Sequence, residues 1–554
     1  MFKIVAVAGA AAILALSSVS DSFGTSEAEV EDSALALGER LFNDDRFSQF
    51  FFETSAGNPN KGLEQGDPAL DFIEHFDGNR YRSPFSGQAM SCATCHMVDQ
   101  ARESASGLGM RIYSDFSAKS PVTDRENSDS VTLRNSQSAV VPVNENGPNF
   151  FHWDGEFNSL EHLVVAGFAG RNMGWLPTER RTAHHHLFRV IREDDGKGSL
   201  AREFGGFSYA EIFLSESPAI PEDLRLPEEL RLDVHTARPH QIMMAVAHLV
   251  ATYMRDSQLQ KDSNGDYNGS PYDLFLRKNG LPLRPADGET ALEYSQRLLS
   301  SVESLDLIQF VSRIDNSFST HDQDYSFGPD ELTGLKLFLT LRADASQNNR
   351  AAACAACHTP PHFLDFGFHN VGISQLGYER VHGFNSFRRI HVPALEDRNR
   401  NLDKYGAPTP QHPERLRILG SAPSKENPEA ADLGMWNHFF SPGFDHLQSD
   451  LLLALETSLP SIDLDQLTDD EMLSLTVGMM KTPTLRDLGH TAPYFHDGHA
   501  RGIGQVLSLY IATSRGARQG LIVNPDPRLK NINLLEADKE PLVKFLMSLN
   551  EDYE

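Results

Sequence analysis

The chain is short of cysteine, tryptophan and basic charge, and each shortage excludes something. Its 554 residues include four cysteines and three tryptophans. Four cysteines in so long a chain cannot make a disulfide-built scaffold, which packs many cross-links into a short sequence. Lysine and arginine number 49 against 77 aspartates and glutamates, a formal net charge of −28. Nothing in such a chain supplies the basic stripe a phosphate backbone needs, so nucleic acid is excluded as a partner. The acidic balance favours solubility and a partner bearing a positive patch. Beyond the N-terminus no run of about 18 apolar residues occurs, so no membrane span is expected in the mature protein. Walker and dinucleotide fingerprints are missing from any strand–turn–helix context, and strand signals are sparse.

What is present begins at the N-terminus. Met1-Phe2-Lys3 carries one positive charge, an Ala-rich apolar run follows from Ile4 to Leu16, and Ser18-Val19-Ser20 offers small residues for cleavage. Residues 1–20 therefore read as a secretory signal peptide, with an uncleaved anchor as the alternative. The remainder is long enough for two or three domains of about 150 residues. An apolar fraction of 40% and a charged fraction of 23% describe an ordinary folded protein.

All four cysteines fall in two short motifs. Ser91-Cys92-Ala93-Thr94-Cys95-His96 and Ala353-Cys354-Ala355-Ala356-Cys357-His358 both read C-x-x-C-H, the pattern of c-type haem attachment. The chemistry explains the spacing. Two thiols add to the two vinyl groups of one haem, and the next histidine lies under the iron as its proximal ligand. A redox dithiol needs no trailing histidine, and a zinc site would need the two pairs to converge and would leave both histidines without a role. The motifs imply two covalently bound c-type haems, held by Cys92, Cys95 and His96 and by Cys354, Cys357 and His358.

The motifs lie about 260 residues apart, and similar apolar-periodic segments precede them, as in an internal repeat. These segments are Leu37-Gly38-Glu39-Arg40-Leu41-Phe42 and Gly334-Leu335-Lys336-Leu337-Phe338-Leu339. Both read as amphipathic helices. Helical periodicity recurs from Gln241 to Tyr253 and from Lys539 to Leu549. The expected fold is mainly α: two tandem cytochrome c-like haem domains with long loops, the first over residues 30–320 and the second over 325–554. Residues 50–89, 179–229 and 395–435 read as inserted loops, with a turn at Glu193–Gly198.

Further segments resemble the bacterial diheme cytochrome c peroxidases and their relatives of the MauG type. Lys481-Thr482-Pro483-Thr484-Leu485-Arg486-Asp487-Leu488 and Thr491-Ala492-Pro493-Tyr494-Phe495-His496-Asp497-Gly498 look like that family's second-domain signature. Phe151-His152-Trp153-Asp154-Gly155, then Ser159-Leu160-Glu161, resembles its interhaem segment, and Phe363 to Asn370 also fits. The resemblance implies a periplasmic enzyme whose N-terminal haem, on His96, is the reaction site and whose C-terminal haem passes electrons. It implies that Trp153 relays electrons between them. It also implies a calcium ion held between the halves by Asn135, Thr491 and Pro493, whose oxygens suit that cation. Implied partners are hydrogen peroxide or oxygen and a small redox protein (a cytochrome c or cupredoxin), or a protein or organic substrate. A homodimer is a further expectation.

Three departures qualify the resemblance. Where typical members carry a methionine ligand fourteen residues after the signature histidine, counting from His496 reaches Tyr510, as in MauG. A phenolate there favours ferric iron and high oxidation states; Met479 and Met480 are rivals. Where typical members have a Gln, a Pro and a Glu in the distal pocket, the offsets from Trp153 give Leu163, Gly167 and Met173, or Asn172 with a one-residue gap. Glu161, His162 or His152 would have to move the proton that peroxide cleavage needs. Phe168 suggests instead an apolar distal pocket, similar to the oxygen-binding, latex-cleaving branch of the superfamily. Finally, no histidine lies between Met97 and Phe151, leaving Met110 and Tyr113 as substitutes for the usual loop ligand and implying an open iron position on His96. The reading is thus a peroxidase-type oxidoreductase. Its alternatives are a MauG-like oxidase working through a high-valent diheme state, a haem dioxygenase and a plain electron carrier. His184-His185-His186 reads as a solvated turn, and Asp262 to Asp273 as an imperfect calcium loop.

Overall fold

The computed structural model describes residues 32–74, 80–96, 102–103, 109–110, 121–125, 132–140, 142–145, 147–256, 258–318, 323–342 and 350–551. The signal segment at residues 1–20, Tyr113 and the side chain of Met110 lie outside the described residues. The expected mainly α fold is what forms. Strand among the described residues is confined to three short antiparallel ladders: Phe72–Glu74 with Arg80–Arg82, Arg102–Glu103 with Gly109–Met110, and Phe368–His369 with Met480–Lys481.

One arrangement occurs twice. The helix Asp32–Asn43 crosses the helix Pro239–Asp256, and the helix Pro329–Leu339 crosses the helix Lys539–Met547. Each crossing is built on a glycine. A Cβ on Gly38 would collide with the Leu249 carbonyl and lie 2.9 Å from the Tyr253 Cβ. A Cβ on Gly334 would collide with the Pro541 carbonyl and lie 2.6 Å from the Phe545 Cβ. Small residues let helix backbones approach until side chains on both flanks interlock. Leu37, Leu41 and Phe42 bury one face of the first crossing, and Leu335, Phe338 and Leu339 one face of the second. Pro329 stands at the first helical position, where its missing N–H costs nothing, and Glu331 accepts the Gly328 N–H at 2.8 Å.

Among the described residues the apolar interior divides into three cores. The first runs from Ala34 to Tyr267, the second from Tyr272 to Leu549, and the third joins Phe150 to residues between Phe368 and Met479. The helices Pro271–Lys278 and Ala291–Glu303 belong to the second core. Residues 272–311 thus share their interior with the second motif, although the sequence reading placed the division near 320.

The regions read as inserted loops are largely packed. Within 179–229 lie the helices Arg180–Glu193 and Tyr209–Leu214, with Leu187, Val190, Tyr209 and Phe213 buried. Within 395–435, Arg398 is buried and donates to the Trp436 carbonyl at 2.7 Å and the Phe439 carbonyl at 2.8 Å, anchoring the segment to the third core. A buried guanidinium satisfies several main-chain acceptors at once, something helical periodicity does not reveal. The turn after Glu193 forms as expected, with Gly196 at φ 69°.

Candidate functional site

The two C-x-x-C-H segments take the same local shape. Cys92–Thr94 and Cys354–Ala356 each form one 3-10 turn. The His96 N–H donates to the Cys92 carbonyl at 2.9 Å, and the His358 N–H to the Cys354 carbonyl at 2.8 Å. Both turns present two thiols and an imidazole side by side. The thiols are unbridged. Burial and the neighbouring cysteine push Cys92 and Cys354 up to about 12, so neither has the depressed thiolate character of a redox dithiol. Cys92 packs against the first core and Cys354 against the second. No cluster of metal-ligating side chains among the described residues contains cysteines from both pairs, so the zinc alternative has no geometry behind it.

The second motif opens onto a large cavity. Cys354, Cys357, His358, Trp153, Met480 and Tyr510 all line it, and Phe338, Leu507, Leu542 and Leu546 make its walls apolar. His358 Nδ1 sits 3.2 Å from the Phe363 carbonyl and 3.1 Å from the Pro483 carbonyl. A proton on Nδ1 satisfies these acceptors and leaves Nε2 with its lone pair, the tautomer a metal needs. Burial pushes this imidazole down to about 4, keeping it neutral. An apolar slot with paired thiols at its edge and an oriented neutral imidazole fits a covalent haem. Tyr510 reaches the cavity from the helix Ile503–Arg518 and packs beside Phe495 with ring centroids 5.9 Å apart. Burial, then the nearby Cys354 thiol, raises its phenol above the ordinary range. Of its rivals, Met480 lines the cavity, whereas Met479 is buried in the third core.

The sequence reading missed a charged group on this cavity's rim. His369 is buried between Asp365 and Asp526, each carboxylate 2.8 Å from one ring nitrogen, and Arg528 closes on Asp526 at 2.8 Å. Burial opposes a charge on His369, but the two carboxylates outweigh it and hold the ring as imidazolium. The i,i+4 spacing of Asp365 and His369 was a signal available in the sequence. Nothing local pointed to Asp526 or Arg528.

The segment from His152 to Glu156 joins the halves. Trp153 is buried against the cavity; its Nε1–H donates to the Asn135 carbonyl at 2.8 Å, and its carbonyl accepts the Lys481 N–H at 2.7 Å. Asp154 is fully buried between Arg134 at 2.6 Å, His438 at 2.8 Å and Arg417 at 3.1 Å. Burial works against its charge, and Arg134 and His438 hold its carboxyl far below the usual range. Gly155 has φ 75°, and a Cβ there would lie 2.8 Å from the Phe368 ring. Each residue of Trp-Asp-Gly thus has a distinct physical task.

Two of the three calcium-candidate residues meet directly. The Asn135 amide donates to the Pro493 carbonyl, and its main-chain N–H donates to the His496 carbonyl at 2.7 Å. Thr491, two residues before Pro493, lines the same cavity wall. Asn135 Oδ1 is buried with no hydrogen-bond partner among the described residues. Turning the amide over would set Oδ1 beside main-chain carbonyls, an oxygen set that suits calcium.

Around the first motif, burial pushes His96 down to about 4, opposed by the Gln137 backbone and assisted by nearby His152. Of the three acid–base candidates, Glu161 is committed to Arg255 at 2.6 Å, and His162 stands against the His446 ring at 6.4 Å. His152 bonds Glu156 at 3.0 Å. Phe168 is buried edge-on to Phe47 at 5.0 Å, and Met173 lies in the first core.

The two minor constellations are structural. His184–His186 lie in the helix Arg180–Glu193 rather than in a turn, and buried His186 faces the Arg46 carbonyl at 2.7 Å. In the 262–273 loop, Asp262 and Asp266 are taken by Arg277 and Arg284, each at 2.8 Å.

No family model matches the chain. A 76-residue stretch is 34% identical to cytochrome-c peroxidase IdrP2 of Pseudomonas sp. (strain SCT), spanning 14% of this chain and 18% of that protein. The fold is similar to a MauG-like protein associated with microbial copper homeostasis, at 15% identity, TM-score 0.40, and coverage of 94% of this chain and 90% of that one. It is similar too to the diheme peroxidase BthA of Burkholderia thailandensis E264, at 15% identity, TM-score 0.43, and coverage of 94% and 86%.

Proposed function

We propose that this chain is an exported diheme c-type oxidoreductase. In this reading it reduces hydrogen peroxide at a haem on Cys92, Cys95 and His96, using electrons from a haem on Cys354, Cys357 and His358. The observation that carries the reading is the cavity that gathers Cys354, Cys357, His358, Tyr510 and Trp153 at one apolar slot. When bound, the haems would supply one-electron redox chemistry and the binding of a small oxidant.

The chain's own residues do the rest. The Phe363 and Pro483 carbonyls fix the His358 tautomer. Trp153 places an indole at the cavity wall on the side of the first domain, and Asn135 fixes its tilt. Around it, the Arg134, His438 and Arg417 contacts of Asp154 keep the connecting segment rigid. His152, bonded to Glu156 at 3.0 Å, would serve as the acid–base group. Burial works to raise the Glu156 carboxyl, but Arg417 and His152 hold it at about 2, ionised and able to orient the ring. Asn135, Thr491 and Pro493 would hold calcium across the same junction, with the Asn135 amide turned over. A small redox protein in the periplasm supplies the electrons.

The second reading, oxidation of a protein or organic substrate as the MauG comparison implies, is favoured by one observation. Tyr510 faces the cavity beside Cys354, where a phenolate would stabilise oxidised iron.

The test is to express the chain in a host that matures c-type cytochromes, weigh the product, and record optical and EPR spectra before and after stoichiometric peroxide. Two haem masses, a high-spin first haem and catalytic consumption of peroxide support the proposal. A long-lived oxidised state with slow consumption supports the second reading. A stable oxygen adduct without a peroxide response would indicate a dioxygenase, two inert low-spin haems an electron carrier, and a product without haem would end the proposal.

A further inference from the structure

The chain-wide deficit of basic charge conceals a local surplus. From His499 to Leu535 there are four arginines and one lysine but a single acid, Asp526, which is buried and bound to Arg528 and His369. This stretch contains the helix Ile503–Arg518, whose inner face lines the second cavity through Ile503, Val506, Leu507 and Tyr510. Its outer face exposes Arg515 and Arg518.

The neighbouring helix Ile373–His382 repeats the pattern. Ile373 and Ser374 line the same cavity, and the chain leaving the helix exposes Phe384, Arg388 and Arg389. The Arg388 guanidinium donates to the Gly520 carbonyl, so the two basic segments form one surface. Phe384, 75% exposed, and Leu521, 36% exposed, add apolar area to it. Several arginines elsewhere are engaged: Arg40, Arg46, Arg134, Arg417, Arg486 and Arg528 all bind carboxylates. Arg388, Arg389, Arg515 and Arg518 form no ion pair among the described residues. A surface of unneutralised guanidinium groups with exposed apolar area between them has the composition of a protein interface, where arginine and aromatic residues are enriched.

We propose that this surface docks a small acidic redox protein, the electron donor of the function proposed above, on which this inference rests. Charge complementarity selects the occupant: on a body of net charge −28, a face of guanidinium groups without ion pairs attracts an acidic partner. Position supplies the purpose. Arg515 and Arg518 follow Tyr510 by five and eight residues, roughly 8–12 Å along the helix axis. The donor therefore sits over the wall of the second cavity. Each encounter transfers one electron: the donor is oxidised by one unit, the second haem is reduced by one, and no bond is made or broken. The rest of the acidic surface shapes the kinetics. At about 0.1 M salt a Debye length near 10 Å screens the distant acids and lets the local patch dominate; at about 0.01 M it reaches 30 Å and the whole body repels. Association with an acidic donor therefore peaks at intermediate ionic strength.

The test uses the full holoprotein, the variant R389E/R515E, and two small single-haem cytochromes c, one of net negative and one of net positive charge. Binding of each oxidised cytochrome is measured by titration calorimetry, and reduction of the second haem by each reduced cytochrome by stopped flow across ionic strength. The expected result is tighter binding of the acidic cytochrome, a rate maximum at intermediate salt, and at least a ten-fold loss of both in R389E/R515E. Reduction by a small neutral reductant stays unchanged. Preference for the basic cytochrome, or an acidic-cytochrome affinity insensitive to the double substitution, overturns the docking surface while leaving the proposed function intact. So does binding to anionic lipid vesicles that the substitution abolishes without affecting the cytochrome. Failure of the unsubstituted holoprotein to accept electrons from any reductant overturns the proposed function, and the docking proposal with it.

Discussion

At the scale of single residues, the proposed chemistry turns on Tyr510 and Trp153. Both line the cavity, as does Met480, the rival of Tyr510 as a ligand for the second haem. Replacing Tyr510 with Phe is expected to change the ferric low-spin optical and EPR signature of the second haem, whereas Met480→Leu leaves it unaltered. The reverse pattern would assign the ligand to Met480. Trp153 has its indole N–H fixed by Asn135 and its carbonyl by Lys481. Trp153→Ala removes the aromatic bridge and is expected to slow electron transfer between the haems at least ten-fold in stopped-flow traces, with haem content unchanged. Equal rates would reduce Trp153 to a packing role. These two residues were legible because their neighbours in the chain marked them. The His369–Asp365–Asp526–Arg528 group was not, since 157 residues separate its bonded His369 and Asp526.

At the scale of elements, the duplicated helix crossing ties each haem motif to its own core. Gly38 and Gly334 are equivalent: each lets a partner helix backbone approach more closely than any side chain would permit. A methyl group there must separate the pair or distort it, at about 1–3 kcal/mol for an overpacked contact. Gly38→Ala is expected to lower the denaturant midpoint followed at the first haem, and Gly334→Ala that followed at the second. A substitution that shifts both signals equally would mean that the halves unfold as one unit. The paired segments around these glycines were visible as apolar periodicity. Their closeness of approach was not, because it depends on the facing helix, two hundred residues further along the chain in each case.

At the scale of the whole molecule, Glu551 closes against the end of the first core. The Glu551 carboxylate accepts the Gln260 N–H at 2.7 Å beside the buried Arg486–Asp273 pair. Burial, against the attraction of Arg486 and aided by Asp273 and Asp487, raises its carboxyl to about 8. The folded state therefore keeps a proton that the unfolded chain releases above about 4.5. Stability from this group falls as pH rises from about 4.5 to 8, by at most about 1.4 kcal/mol per pH unit. Glu551→Gln is expected to flatten that part of the stability curve in denaturant titrations at pH 5, 6, 7 and 8. An unchanged difference between the two proteins across that range would mean that Glu551 is ionised throughout.

The sequence by itself determined the two C-x-x-C-H turns, because two thiols and an imidazole set within one turn are a local object. It also determined the mainly helical character, which follows from apolar periodicity, and the pairing of the two halves by their repeated segments. Only the tertiary structure decided which residues surround each motif. It gave residues 272–311 to the second core, filled the supposed loops with packed helices, and set His369 between two carboxylates. It also brought Arg388 against Gly520 to make one basic face on an acidic body. These outcomes depend on which distant side chains exclude water from one another, and burial between segments far apart in the chain leaves no mark on either segment alone.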